Sequence, residues 1–441
     1  MLTRLLLISL LAHAVAIFTP PSSNGLTLDE AVIFALKNNP DFQKQQMNQS
    51  ASEEALKGKK SDNYGKIEFL ASYGHYNLPR TLAPLTPSSI FLDPTAVPTT
   101  KDLFGTGIMY ELPLFTGFAQ QSSVEIALLE KEMAGAALKL SREQLIYNVK
   151  TLYINILAQQ TQEEAQKQYH STLQNLYDDI SLEVKLGKKA RVEQLKAAAD
   201  LENARVQVRT INGNIKILKA TLGSLLNRER VDTLEKISIT VPSSAEIGNG
   251  KKIEDLERYR SAVLDVEKKT KLIEKSSSAN YPQIVFNGFY GQNFGPNDDS
   301  NRNEGDWNNQ DVWQATVNLK WTIFDFGGRK NTQQVAAIRR QQSLRERLKT
   351  ELDLKRSLSE AKVKIQLAID AFHSAETECA LTRETEVIEQ TRFNKGAADV
   401  NDLLYAKARN QLALSRSISA KYNYLNSSFY LDYLLEDGEN K

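Results

Sequence analysis

From Trp313 to Ile323 the chain alternates without a break. Trp313, Ala315, Val317, Leu319, Trp321 and Ile323 fall on one side, and Gln314, Thr316, Asn318, Lys320 and Thr322 on the other. A period of two makes a strand with one apolar and one polar face. After Phe324, Asp325, Phe326, Gly327 and Gly328 the period changes. From Arg329 to Arg392 there is no proline and no glycine, and helix formers dominate. A strand that runs straight into a very long helix is rare in soluble domains, and the rest of the chain is read around that joint.

The same pattern occurs earlier. Thr27-Leu28-Asp29-Glu30 is a capping box, followed by helical spacing that Asn39-Pro40 interrupts and that resumes to about Lys60. Asn63 to Tyr76 reads as a strand. Asn77 to Asp102 holds Pro79, Pro84, Pro87, Pro94 and Pro98, and is expected to lack regular structure. Gly105 to Phe115 is a second strand, closed by Thr116-Gly117. In the helical run that follows, Leu138, Leu145, Val149, Leu152 and Ile156 step by sevens, fours and threes, a coiled-coil-like stripe. At 1.5 Å per residue such a run is a rod of about 100 Å. Gly187 breaks it before the next helix. Ile237 to Val241 reads as a short β-like piece. The series then restarts: helix to Ser276, strand Asn280 to Gly291, a loop Gln292 to Asp311, the strand described first, a long helix, Gly396 and a last helix.

These halves are collinear. Asn63, Tyr64, Ile67, Phe69, Tyr73 and Gly74 recur as Asn280, Tyr281, Ile284, Phe286, Tyr290 and Gly291, 217 positions on. Phe115 recurs as Phe324, Gly187 as Gly396, Leu195 as Leu404 and Leu222 as Leu431, 209 positions on. A nearly constant offset over so long a stretch marks an internal duplication. The expected fold is mainly α with a small β part. A first repeat covers 27–227 (β-hairpin 63–115, long helices 118–186 and 190–227), a linker 228–252, and a second repeat 253–435 (β-hairpin 280–324, long helices 329–392 and 400–435). A tail, 436–441, ends the chain.

Four strands with one apolar face need burial and edge partners. They are too few to close a barrel, and a barrel in a membrane has to close. The strands are therefore expected in membrane lipid, completed by sister copies. Ile67, Phe69, Ile108, Leu112, Ile284, Phe286, Val317, Leu319 and Trp321 face the lipid. Tyr73, Tyr290, Trp313 and Trp321 suit aromatic girdles.

Composition agrees with export. Arg4, the apolar run Leu5 to Phe18 and Ala14-Val15-Ala16 resemble a secretory signal, 1–16, with a Pro- and Ser-bearing linker, 17–26, after it. Net charge is +1 with 25% charged residues, which argues against a nucleic-acid partner. The one cysteine, Cys379, is expected as a packed thiol. His13, His75, His170 and His373 have no ligand spacing. No phosphate loop or nucleophile motif appears, so catalytic, metal and cofactor residues are none and the chain is read as no enzyme. The alternative is a structural coiled-coil or filament-type surface protein without transport activity, which explains the rods but not the alternating strands. The acidic stretch Asp298, Asp299, Glu304, Asp306 and Asp311 is read as hydrated loop.

At this point the chain resembles the TolC-type outer-membrane channels of efflux pumps and type I secretion systems. The resemblance is carried by Leu26-Thr27-Leu28 through Asn39-Pro40, by Pro113-Leu114-Phe115-Thr116-Gly117, by Ile323-Phe324-Asp325 through Gly327-Gly328, and by the two glycine tips. It implies a homotrimer with a twelve-stranded barrel and a helical periplasmic tunnel, working with a periplasmic adaptor (membrane fusion) protein and an inner-membrane transporter. Phe115, Gly117, Phe324, Gly327 and Gly328 are then strand-to-helix joints, and Gly187 and Gly396 periplasmic tip turns. The resemblance also implies an acidic constriction beyond the tip. Asp402 takes its first position, Tyr405 stands at the second, and Glu193 holds the matching place in the first repeat. The family's basic lock residue is replaced by Ala398. A swapped lock is expected instead, Arg191 pairing with Asp399 or Asp402.

Overall fold

Period-two alternation and proline-free helical runs produce the elements the sequence calls for. The computed structural model describes residues 25–92, 97–231, 233–244, 251–298 and 306–438. The signal at 1–16, most of the linker at 17–26, Asp299 and Glu304 of the acidic loop, and the last residues of the tail lie outside them. In order the chain forms helices α1 (Leu28–Asn38) and α2 (Pro40–Ser61), strand β1 (Lys66–Thr81), a short α3 (Pro87–Leu92), β2 (Thr99–Phe115), α4 (Ala119–Lys185) and α5 (Arg191–Leu226). Then come α6 (Glu257–Ser277), β3 (Gln283–Pro296), β4 (Trp307–Lys320), α7 (Gly328–Asn394) and α8 (Val400–Leu434).

The duplication is written in the backbone. Apart from Gly65, the positive φ angles of the described residues fall in matched pairs at one offset: Gly117 and Phe326 (63° and 54°), Phe118 and Gly327 (70° and 91°), Gly187 and Gly396 (both 73°), Asn227 and Glu436 (52° and 54°). Each pair is 209 positions apart. Helices α4 and α7 are both 67 residues long. At the joints one glycine and one phenylalanine occupy two successive left-handed positions, in opposite order in the two repeats. Phe118 and Phe326 are therefore equal parts of the joints, and Gly328 is simply the first residue of α7. A bulky residue resists this conformation and a β-branched one resists it more, whereas asparagine accepts it. Phe326→Val should lower stability by about 1–2 kcal/mol and Phe326→Asn should not, as read by thermal unfolding in detergent.

Residues group into two compact units. One contains residues up to Asn38, Asn148–Ser243 and Ile369–Asn426. There the capping box closes in both directions: Thr27 N–H donates to Glu30 at 3.0 Å and Glu30 N–H to Thr27 Oγ1 at 3.2 Å. Leu26 pairs with Leu234 in a parallel bridge. The buried Tyr153 hydroxyl reaches the carbonyls of Leu26 and Glu235 at 2.7 and 2.8 Å. Ile237 to Val241 forms no strand, because no described residue pairs with it. His373 Nε2 instead lies 3.2 Å from the Pro242 carbonyl. Cys379 is only half-buried, so the packed-thiol expectation does not hold within one chain. The apolar core joins Leu173, Leu176 and Ile180 of α4, Ala197, Leu201 and Ala204 of α5, and Val400, Leu403 and Leu404 of α8. Their spacing by threes and fours is that of a helical seam; of the stripe read from the sequence, Leu145, Val149 and Ile156 are buried.

Burial drives the phenols of Tyr153 and Tyr169 in this unit up to about 12. Folding disfavours the phenolate in both. Their contribution to stability is therefore intact below pH ~10, the ordinary tyrosine value, and is lost as pH rises through 12. The melting point should fall steeply between pH 10 and 12, and less steeply in Tyr153→Phe.

The second unit contains Asn39–Tyr147, Ser244–Ala368 and the chain from Ser427. Its four strands form one antiparallel sheet in the order β1-β2-β3-β4. The strands run further into the connecting segments than their alternation indicates. β1 continues through Pro79 to Thr81, and β2 begins at Thr99. Pro79 is tolerated because β1 is an edge strand whose register breaks between His75 and Arg80. The region expected as an irregular proline-rich loop also contains α3. In the second hairpin Gln292 to Pro296 pairs with Trp307 to Asp311, where a loop was expected. Here Gln292, Asn309 and Asp311 share a face with Phe294 and Trp307, so the alternation is broken and periodicity could not mark the strand. At the other end β4 stops at Lys320, since its partner β3 begins at Gln283. Trp321, Ile323 and Phe324 are therefore not strand residues, a correction to the sequence reading.

Candidate functional site

Cross-strand neighbours share a face, so the register sorts the sheet. Phe69 opposes Ile108, which opposes Tyr290, which opposes Trp313. Leu112 opposes Phe286, which opposes Val317, and Ile284 opposes Leu319. With Ile67 opposite Tyr110, the eight strand residues expected to face lipid all lie on one surface. Only Trp321 lies past a strand end, where its indole N–H donates to the Asn280 carbonyl at 3.1 Å. The opposite surface carries Lys66, Glu68, Glu111, Asn287, Thr316, Gln314 and Lys320. Lys66 pairs there with Glu68 at 3.1 Å and Glu111 at 3.7 Å.

Aromatic rings flank the apolar band. Towards the hairpin ends Tyr73, Phe104, Phe294 and Trp307 form one cluster, with Phe104 stacked on Phe294 at 5.5 Å. Towards the joints Phe118 meets Phe115 and Tyr281 edge-on at 5.3 and 5.8 Å, and Phe324 meets Phe326 at 4.7 Å. Trp313 and Trp321 are eight residues apart, about 27 Å of fully extended chain and roughly 20 Å once a barrel tilt near 40° is applied, close to the height of an outer-membrane apolar band. At the second joint Asp325 receives the N–H groups of Gly327 and Arg329 at 3.3 and 2.8 Å. The Arg329 guanidinium in turn donates to the carbonyls of Ala279 and Ile323 at 3.1 and 3.2 Å. This clamp turns the chain from strand to helix.

In the other unit the tip turns are twins. Lys188 N–H donates to the Glu183 carbonyl at 2.8 Å and Gly187 N–H to Val184 at 3.1 Å. Ala397 to Arg392 at 2.8 Å and Gly396 to Phe393 at 3.0 Å repeat the pattern. Both are Schellman caps, in which the left-handed position falls to glycine.

Beyond the tips the charges do not sort as expected. Asp399 caps α8, accepting Asp402 N–H at 2.9 Å, and this hydrogen bond holds its carboxyl below the usual range. Arg191, at the start of α5, makes no ion pair with Asp399 or Asp402 within the chain. The lysines reach across instead. Lys196 donates to Asn401 at 2.9 Å. Lys189 lies 3.7 Å from the centre of the Phe393 ring and pairs with Glu183 and Glu193 at 3.1 and 3.8 Å. Asp402 and Tyr405 are exposed and line a groove of about 410 Å³ with Thr385, Glu389, Arg392 and Arg409. Deeper in, Lys407 and Asn410 grip Glu386. The sequence carried no mark of these partners, because Lys196 and Asn401 stand 205 positions apart. Among the described residues no group of His, Cys, Asp or Glu is arranged to hold a metal ion.

A family model described as outer membrane efflux protein matches residues 34–228 and 258–435. The chain belongs to that family. No curated protein matches the sequence. Among solved structures this efflux protein is similar to a membrane protein from Pseudomonas aeruginosa, with a TM-score of 0.77 at 14% identity over 93% of this chain and 91% of that one. It is similar to the CmeC outer membrane channel of Campylobacter jejuni, at 0.75 and 17% over 93% and 86%. The open-state MtrE outer membrane channel of Neisseria gonorrhoeae gives 0.74 and 16% over 95% and 94%. The efflux protein is accordingly an outer-membrane channel protein that extends into the periplasm, and the TolC-type resemblance stands.

Proposed function

We propose that the protein is the exit duct of a tripartite efflux pump or type I secretion system. It passively conducts substrates received from a periplasmic adaptor and an inner-membrane transporter. The observation that carries this is the sheet: one apolar face, one polar face, and two edges, β1 and β4, with no strand partner among the described residues. Lipid offers an open edge nothing, so sister copies complete the ladder. Three copies give twelve strands and a wet lumen, whereas eight strands would be filled by side chains.

In this reading Asp402, Tyr405 and Glu193 surround the periplasmic constriction, and Arg191 is available to Asp399 or Asp402 of a sister subunit. Exposed pairs are worth at most about 1 kcal/mol each, yet three around a ring bias a closed state. Arg191→Ala should raise single-channel conductance in planar bilayers, and wild-type conductance would remove the lock. The duct itself is tested by extraction from membranes and reconstitution. Heat-modifiable trimers and ion-conducting pores are expected. A soluble monomer that forms no pore would refute it.

A further inference from the structure

The segment that follows β1 is out of place for a surface loop. Residues 82–92, Leu-Ala-Pro-Leu-Thr-Pro-Ser-Ser-Ile-Phe-Leu, carry no charge. Phe91 is 92% exposed and Leu92 86% exposed, and Leu85 and Ile90 are also bare. The matching turn of the second repeat is polar and carries Asp298 and Asp306.

The direction of the segment is fixed by a tether. Asn293 Nδ2 donates to the Leu82 carbonyl at 2.7 Å, and Leu82 is 1% exposed. Asn293 opposes Gly105, which opposes Ser72. A Cβ on Gly105 would meet Ser72 Oγ at 2.9 Å and Asn293 Oδ1 at 3.1 Å, so these side chains share a face. That face is the polar one, since Phe104 and Ile108 point the other way. The chain after β1 is thus drawn over the lumenal side of the sheet and away from lipid.

We infer that three α3 segments, one from each copy, converge over the lumen and pack Phe91 and Leu92 together as an apolar constriction at the extracellular mouth. The occupant of this bare surface is the same segment of the sister subunits, so the inference rests on the trimer reading. The reach suffices. Twelve strands about 4.8 Å apart, tilted near 40°, enclose a ring about 24 Å across, so the axis lies about 12 Å from the wall. Five residues from Leu82 to Pro87 span up to about 17 Å, and α3 adds about 9 Å. An apolar ring of this kind stops ions by shedding water, without needing a solid plug. It would be a barrier separate from the tips.

The test places Phe91→Cys in a Cys379→Ser background and oxidises the protein in membranes. Disulfide-linked dimers are expected on non-reducing gels, while Phe69→Cys, on the lipid face, gives none. In planar bilayers Phe91→Ser/Leu92→Ser should raise the time-averaged conductance at least threefold. If unheated gels show intact trimers, then a missing cross-link or an unchanged conductance overturns the constriction and leaves the duct standing. If wild-type protein gives neither trimers nor pores, the duct reading fails first.

Discussion

Gly65→Ala should abolish assembly of the barrel. Gly65 sits at φ 75°, ψ −164°, a region that is essentially glycine-only. A Cβ there would lie 2.1 Å from the Glu111 carbonyl oxygen and 3.0 Å from Leu112 Cα, both backbone atoms that cannot swing aside. The next residue, Lys66, opens the β1–β2 ladder opposite Glu111, and the Tyr110 hydroxyl donates to the Tyr64 carbonyl at 2.8 Å. Strain of about 1–3 kcal/mol from the conformation, with the clash added, brings the expected cost to roughly 3–5 kcal/mol. The chain escapes most easily by releasing β1, an edge strand that the trimer reading gives to the neighbouring subunit. Unheated gels of Gly65→Ala should therefore show no trimer, with less protein in outer-membrane fractions. Gly58→Ala is the control: it lies in α2, and its Cβ would meet nothing within 4 Å. That change should be neutral or stabilise by up to about 1 kcal/mol. Trimers at the wild-type level from Gly65→Ala would contradict the argument.

Gly65 also shows where sequence reading stops. Its counterpart 217 positions on is Pro282, so the duplication hides the one glycine whose conformation β1 depends on. The fold was otherwise legible because its signals are periodic and doubled. Period two placed the apolar face from Ile67 to Leu319, and the offset of 209 located both joints and both tips. The strand extensions were not legible, since polar residues interrupt the face that Phe294 and Trp307 share, and the alternation is lost. Backbone hydrogen bonds hold them, and those leave no trace in a hydropathy pattern. Trp321 and Ile323 erred the other way: their alternation continues after the partner strand has ended. The tip illustrates a third limit. Charge counts marked Arg191 and Asp399 as opposites, but a carboxylate three residues ahead of a helical N–H is captured as a cap before a distant cation can claim it. Lys196 and Lys189 reach across because of where the helices place them, which no spacing in the chain encodes.

Lys407→Met should give the largest loss in the helical unit. Lys407 on α8 is 4% exposed and lies 3.0 Å from Glu386 on α7. The second Glu386 oxygen accepts Asn410 Nδ2 at 2.5 Å, and Thr382 Oγ1 reaches Asn410 Oδ1 at 3.4 Å. Methionine keeps the packing of the lysine stem and removes the charge, so the change leaves a largely buried carboxylate held by the Asn410 amide. Breaking a buried pair from one side costs about 3–5 kcal/mol, and the partial exposure of Glu386 reduces the expectation to roughly 2–4 kcal/mol. Thermal unfolding in detergent and protease cutting of the α7–α8 hairpin should both register the loss. The decisive comparison is the double variant Lys407→Met/Glu386→Leu, which removes both charges. If desolvation of the stranded carboxylate is the cause, the double variant recovers most of the lost stability, and the coupling energy between the two sites is at least about 1 kcal/mol. Equal, additive losses would mean that each side chain contributes only packing. The same pair also bears on the proposed gate. Glu386 and Lys407 tie together the two helices that carry Arg392 and Asp402, so a duct that opens by parting those helices must first loosen this contact, and Lys407→Met should conduct more freely as well as unfold sooner.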